Sequence, residues 1–131
     1  LKNRKEFNVV VHNHPAYGSG MSILRKDIKP YHYMIGFMGG DTIKCSTFAL
    51  PGSKELSKAA LKALKDRKAC LLANHGTISC GKDLEEAMFL TEEFEILCKQ
   101  ITIARINGKP KLVENKYMKL IVEAIKSYGK Y

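Results

Sequence analysis

Apolar positions along this chain alternate between two rhythms. Phe7 to Val11 is a compact apolar run with three consecutive valines, and it reads as a buried strand. Pro15 to Leu24 reads as a helix with Pro15 in its first turn. Ile28 to Tyr31 reads as a short extended piece, since Pro30 disfavours helix at Lys29. Tyr33 to Met38 is apolar and ends at the turn pair Gly39-Gly40. Thr42 to Thr47 is expected to be a strand, and Phe48 to Gly52 a loop.

Ser53 then stands as an N-cap before Leu56, Ala60, Ala63 and Leu64 at helical spacing. Ala69 to Ala73 and Thr77 to Cys80 read as two short strands around Asn74-His75-Gly76. Asp83 and Glu86 have capping-box spacing before a long helix to about Ile106. Leu84, Ala87, Met88, Thr91, Phe94, Glu95, Leu97 and Cys98 are expected on its inner side. The helix stops at Asn107-Gly108-Lys109-Pro110, and a last amphipathic helix runs from about Lys116 to Tyr128. Strands and helices alternate, which makes the fold class α/β, with chemistry carried at strand ends.

A chain of 131 residues with 45% hydrophobic and 27% charged residues is that of an ordinary globular domain. No apolar run reaches membrane-spanning length and no signal-peptide pattern opens the chain, so a cytoplasmic protein without a membrane partner is expected. The opening Leu1-Lys2-Asn3-Arg4-Lys5 reads as the interior of something longer. The net charge of +9 raises nucleic acid as a partner. Against it, the excess is carried by scattered lysines, with four arginines (Arg4, Arg25, Arg67, Arg105) and no interleaving of basic and aromatic residues. A positive field that attracts an anionic, phosphorylated substrate is the functional reading that survives. Cys45, Cys70, Cys80 and Cys98 lack metal-site spacing and are expected as free thiols.

The chemistry concentrates in His12-Asn13-His14 and Asn74-His75-Gly76. Residues i and i+2 of a strand share a face, so His12 and His14 present two imidazoles side by side. His75 arrives at the end of a second buried strand. Three imidazoles at roughly 2.0–2.1 Å from a zinc ion leave one position open for a substrate oxygen. Such an ion can polarise a carbonyl and stabilise an enediolate. The competing reading makes His12 and His14 surface residues of a strand end and His75 a turn residue bonded to backbone. Gly76 permits a tight turn or a close backbone approach. Tyr33 is either a packing residue with a polar tip or a phenol placed to donate a proton. Asn13 and Asn74 adjoin the candidate ligands and suit hydrogen bonding around them; His32 reads as structural.

Val10-Val11-His12-Asn13-His14, Tyr31-His32-Tyr33-Met34-Ile35, Gly39-Gly40, Leu64-Lys65-Asp66-Arg67-Lys68-Ala69 and Asn74-His75-Gly76 together resemble the class II aldolase/adducin family, nearest its L-fuculose-1-phosphate aldolase branch. The resemblance runs from Val9 to Tyr128. It implies an α/β fold around a mainly antiparallel central sheet, flanked by helices. It also implies that residues 1–131 form one domain, the C-terminal portion of a class II aldolase-like unit. In the family pattern the residues matching His12, His14 and His75 bind zinc. The one matching Tyr33 reaches from a neighbouring subunit to protonate the aldehyde oxygen, and the one matching Tyr128 helps close the site.

The activity implied is zinc-dependent cleavage of a ketose 1-phosphate to dihydroxyacetone phosphate and an aldehyde, in cyclic homotetramers with interfacial sites. The family's acid/base glutamate, in a Ser-Ser-Glu context upstream of the His-x-His pair, has no counterpart here. Glu6 is in the wrong context and too close to His12. The 131 residues alone are therefore not expected to catalyse. Other readings are a pentulose-5-phosphate 4-epimerase, a dehydratase of sulfur-containing ribulose phosphates, and a non-catalytic adducin-like assembly domain. Retention of all three histidines speaks against the last.

Overall fold

A computed structural model of the chain describes residues 2–127. The elements follow in the order β1 (Val9–Asn13), α1 (Ala16–Ile23), a 3-10 helix (Tyr33–Met38), β2 (Lys44–Cys45), α2 (Lys54–Ala63), β3 (Ala69–Leu72), β4 (Gly76–Gly81), α3 (Leu84–Asn107) and α4 (Asn115–Ser127). The strands form one sheet in the order β1-β4-β3-β2. β4 pairs antiparallel with both β1 and β3, while β2 runs parallel to β3. The expected mainly antiparallel sheet flanked by helices is what the chain forms.

The continuous apolar run of β3 is explained by burial on both faces, since all four of its residues are buried. With side chains alternating along the strand, Ala69 and Leu71 point to one side. There they meet Met21 of α1, Ile35 and Met38 of the 3-10 helix, and Leu90, Phe94, Leu97, Cys98 and Ile101 of α3. Cys70 and Leu72 point to the other side, against Phe7, Cys80 and the α2 residues Ala60 and Ala63, together with Leu64. The molecule is thus layered, with α1 and α3 on one face of the sheet and α2 on the other. The cysteines are free thiols, and burial pushes Cys98 up to about 12. No helix of the described residues is long and apolar enough to cross a membrane.

Helix starts follow the local signals. Ser53 Oγ accepts from Leu56 N at 3.1 Å and Asp83 Oδ1 accepts from Glu86 N at 2.8 Å. The reciprocal half of the capping box is displaced by one residue: Glu86 Oε2 accepts from Lys82 N at 2.7 Å. Helix α1 lacks such a device. Its N-cap is Pro15, without a side-chain capping bond, and its first turn carries no acidic residue. The acceptors come from elsewhere in the fold: Glu95 of α3 takes Tyr17 N on Oε1 at 2.9 Å and Gly18 N on Oε2 at 2.8 Å.

Two expectations are corrected. The strand expected over Thr42 to Thr47 shrinks to Lys44–Cys45. Its backbone groups find other partners: Ile43 exchanges both hydrogen bonds with Ile28, and Arg67 Nε donates to Thr42 O at 2.8 Å. Leu84 and Met88 do not line the inner side of α3; they are 63% and 40% exposed. The inner stripe instead runs through Ala87, Leu90, Thr91, Phe94, Leu97, Cys98 and Ile101. Leu84 opens the helix just beyond the end of β4, before the stripe faces the core.

Phe94, fully buried, is the largest side chain at the centre of the α3 layer. Phe94→Ala is expected to destabilise the fold by about 3–5 kcal/mol, the usual cost of removing a buried aromatic ring. A urea titration would show this as a lowered midpoint at unchanged slope.

Candidate metal centre

The site is assembled by the antiparallel pairing of β1 with β4, which sets His12 opposite Ile78 and Asn13 opposite Thr77. His12 lies in β1, His14 one residue beyond its end, and His75 in the turn between β3 and β4. The three rings form a near-equilateral triangle, each pair of centroids 4.8 Å apart. One nitrogen from each ring lies within 4.8 Å of the others. His12 Nε2 and His14 Nε2 stand 3.0 Å apart. Two imidazole nitrogens bound to one tetrahedral ion stand roughly 3.4 Å apart, so the pair already has the spacing a shared cation requires.

Protonation follows from the hydrogen bonds. His12 Nδ1 lies 2.9 Å from Thr77 O, a carbonyl that can only accept, so Nδ1 carries the proton. In the neutral ring Nε2 then bears the lone pair that faces His14. Thr77 also donates its hydroxyl to Asn13 Oδ1 at 2.5 Å, tying the strand end down. Burial, and then the neighbouring His12 and His14, hold the His75 imidazole below its ordinary value. This favours the neutral ring, which can donate a lone pair. His75 Nδ1 is buried with no hydrogen-bond partner among the described residues. A buried nitrogen in that condition calls for an ion or water as its partner. The donor set and this orphaned nitrogen together fit a divalent metal of the zinc type.

The turn that carries His75 is held by α1. Asn74 takes a left-handed backbone conformation at φ 52°, its N donates to Ser22 O at 3.1 Å, and its Oδ1 accepts from Arg25 Nε at 2.5 Å. His75 N donates to Ser22 Oγ at 3.2 Å. Gly76 is required for close approach rather than for an unusual φ. A Cβ there would run into the Asn13 carbonyl oxygen and stand 2.8 Å from His14 Cδ2.

The remaining candidates separate. Asn13 and Asn74 do hydrogen-bond around the histidines, Asn74 through turn chemistry. His32 is structural, its Nδ1 accepting from Met34 N at 3.2 Å to cap the 3-10 helix. Tyr33 is not among the clustered rings. It is 53% exposed, with one face of its ring stacked on His32 at 5.0 Å. Tyr31, like Tyr17, packs against the core. Tyr128 lies outside the described residues. Ser22 was missed as a supporting residue. Its signal was a serine on the buried side of a helix, where a hydroxyl must find a partner.

Comparison with known proteins points to one family. The profile of the family described as Class II Aldolase and Adducin N-terminal domain matches residues 1–102. The L-fuculose phosphate aldolase of Escherichia coli (strain K12) is 38% identical over 129 residues, covering 98% of this chain and 60% of the relative. The 5-methylthioribulose-1-phosphate/5-deoxyribulose-1-phosphate aldolase of Rhodospirillum rubrum is 36% identical, covering 98% of this chain and 58% of the relative. Among solved structures, an L-fuculose 1-phosphate aldolase superposes with a TM-score of 0.91 at 32% identity, over 95% of this chain and 58% of that one. The chain thus spans about 60% of the length of the curated relatives it matches. With the family profile running through β1, the β3–β4 turn and most of α3, the chain belongs to the class II aldolase and adducin N-terminal domain family.

Proposed function

We propose that the whole protein is a metal-dependent lyase of the class II aldolase type. Its reaction is cleavage of a ketose 1-phosphate to dihydroxyacetone phosphate and an aldehyde. This chain forms the C-terminal portion of the catalytic domain, and His12, His14 and His75 hold the metal, with zinc the ion that suits three imidazoles best. The observation that carries the reading is the convergence of three neutral-capable imidazoles on one point. An L-fuculose 1-phosphate-like ketose is the substrate favoured by similarity to the L-fuculose phosphate aldolases. Similarity to the 5-methylthioribulose-1-phosphate/5-deoxyribulose-1-phosphate aldolase supports a second candidate of the same ketose 1-phosphate class.

When bound, the metal supplies Lewis-acid chemistry, polarising a substrate carbonyl and stabilising the negative charge that develops on C–C cleavage. The chain's residues prepare that chemistry. Thr77 O fixes the His12 tautomer so that Nε2 faces inward. Burial, with His12 and His14 beside it, holds His75 below its ordinary value and so favours the uncharged ring. Tyr33, solvent-facing on its own chain, is free to enter a neighbouring copy's site and give its phenolic proton to the departing oxygen. Tyr128 is proposed to position the aldehyde. No residue of this chain is assigned as the proton-abstracting base. Active sites shared between copies make a homotetramer the proposed assembly, and a cytoplasmic enzyme is the proposed setting.

The reading is tested by metal analysis of the purified whole protein and an assay for dihydroxyacetone phosphate released from ketose 1-phosphates. Stoichiometric zinc and release are expected; a protein that holds no metal and releases nothing ends the proposal. His75→Ala is expected to lose most of its metal and to drop kcat/KM by about a hundredfold or more, because two imidazoles hold zinc weakly. Tyr33→Phe is expected to keep its zinc and lose about 10²–10⁴-fold in kcat, the range of a general acid. An unchanged kcat would remove Tyr33 from the mechanism.

A further inference from the structure

Each of the three imidazoles is anchored to helix α1 by a different contact. His14 is joined to it through the single residue Pro15. His75 hangs on its far end through the bond to Ser22 Oγ, with Asn74 N held by Ser22 O. Ser22 is fully buried, so this contact is shielded from water. His12 is held by the carbonyl of Thr77, and the Thr77 side chain lies against α1 at Gly18. A Cβ on Gly18 would stand 2.7 Å from Thr77 Cγ2, so the helix rests directly on the residue that orients His12. A shift of α1 along its axis would disturb all three corners of the triangle at once.

What holds the helix in place is not local. Pro15 contributes no side-chain cap, and no acidic residue lies in the first turn. The amides of Tyr17 and Gly18 are taken instead by the two oxygens of Glu95, at 2.9 and 2.8 Å, across more than 70 residues of sequence. Both carboxylate oxygens are engaged, a two-point clamp that fixes rotation as well as position. The negative charge also sits at the positive end of the helix. Lys99, one turn further along α3, places its ammonium 5.8 Å from the Tyr17 ring centroid and fastens the same corner from outside. α3 is anchored in the core by Phe94, Leu97 and Cys98 on either side of Glu95, which makes it a rigid platform.

We infer that Glu95 is a positioning residue for the metal centre: by clamping the start of α1 it sets the spacing of His12, His14 and His75 and thereby the affinity and geometry of the bound ion. The inference rests on the three-histidine metal reading. Glu95 acts through the helix, without contact to metal or substrate.

The test uses the whole protein as the Glu95→Ala and Glu95→Gln variants, with Leu64→Ala as a control. Leu64 packs on the opposite face of the sheet and weakens the fold without touching α1. Zinc affinity is measured by competition with a chromophoric chelator, and site geometry by the visible spectrum of the cobalt-substituted protein. Glu95→Ala is expected to bind zinc about 10–100-fold more weakly, the effect usual for residues that orient ligands, with an altered cobalt spectrum. Glu95→Gln, which keeps one acceptor oxygen and the side-chain volume, is expected to fall between Glu95→Ala and the parent. It remains informative if the alanine variant does not fold. Leu64→Ala is expected to lower the melting temperature yet leave zinc affinity and the cobalt spectrum as in the parent.

Folded Glu95 variants with zinc affinity within twofold of the parent would overturn the inference while leaving the metal reading intact. A Leu64→Ala loss of affinity equal to theirs would overturn it as well, since mere destabilisation would then suffice. A parent that binds no zinc, or binds it undiminished in His75→Ala, defeats the metal reading and the inference with it.

Discussion

The antiparallel register between β1 and β4 is the constraint on which the rest of the molecule depends. It brings His12 beside Thr77 and the end of β1 against the turn that carries His75. A sheet has a side-chain period of two, so a slip of one residue would send His12 and His14 to the opposite face. The register is held at both ends of β1. Asn8 N bonds Gly81 O at one end, and the Asn13 carbonyl occupies the space that Gly76 leaves open at the other. Beyond Asn13 the chain turns immediately into α1, so the strand end is fixed by the helix as well.

Three imidazoles packed this closely are costly for a protein without a cation. Two protonated rings would repel one another, and the Nε2 atoms of His12 and His14 stand only 3.0 Å apart. The surroundings accommodate the arrangement: Thr77 O accepts a hydrogen bond from His12 Nδ1, Ser22 Oγ accepts one from the His75 amide, and Asn74 adopts a left-handed φ. Local compromises concentrated at one point, on a scaffold that is otherwise conventionally capped and packed, are what a functional site requires. The buried unpartnered Nδ1 of His75 belongs to the same pattern.

The layered core explains why the site is stiff. β3 is buried on both faces, and its burial fixes where the β3–β4 turn emerges. α3 supplies most of one layer and reaches α1 through Glu95. Core packing and site geometry are therefore linked through one helix pair, α3 on α1, rather than through the loops alone. Tyr33 stands apart from this framework. It sits at the start of a 3-10 helix that α4 packs against at Gly36, and its ring is half exposed beside His32.

Much of this was legible along the chain. Short apolar runs mark β1 and β3, and apolar positions at helical spacing mark α2, α3 and α4, because burial imposes those patterns directly on the sequence. The Ser53 and Asp83 caps were visible for the same reason, since a cap acts within three residues of itself. His12 and His14 could be paired because strand geometry alone puts i and i+2 on one face. Physics of short range left the rest open. Whether His75 would join the pair depended on a contact across more than sixty residues, which no local pattern encodes. The truncation of the strand at Thr42–Thr47 depended on Arg67 and Ile28, and the turned-out Leu84 and Met88 on how α3 meets the sheet. Above all, a proline-started helix gives no hint of its own anchor. That anchor is a carboxylate on α3, chosen by the packing of two helices, and only the tertiary structure could decide it.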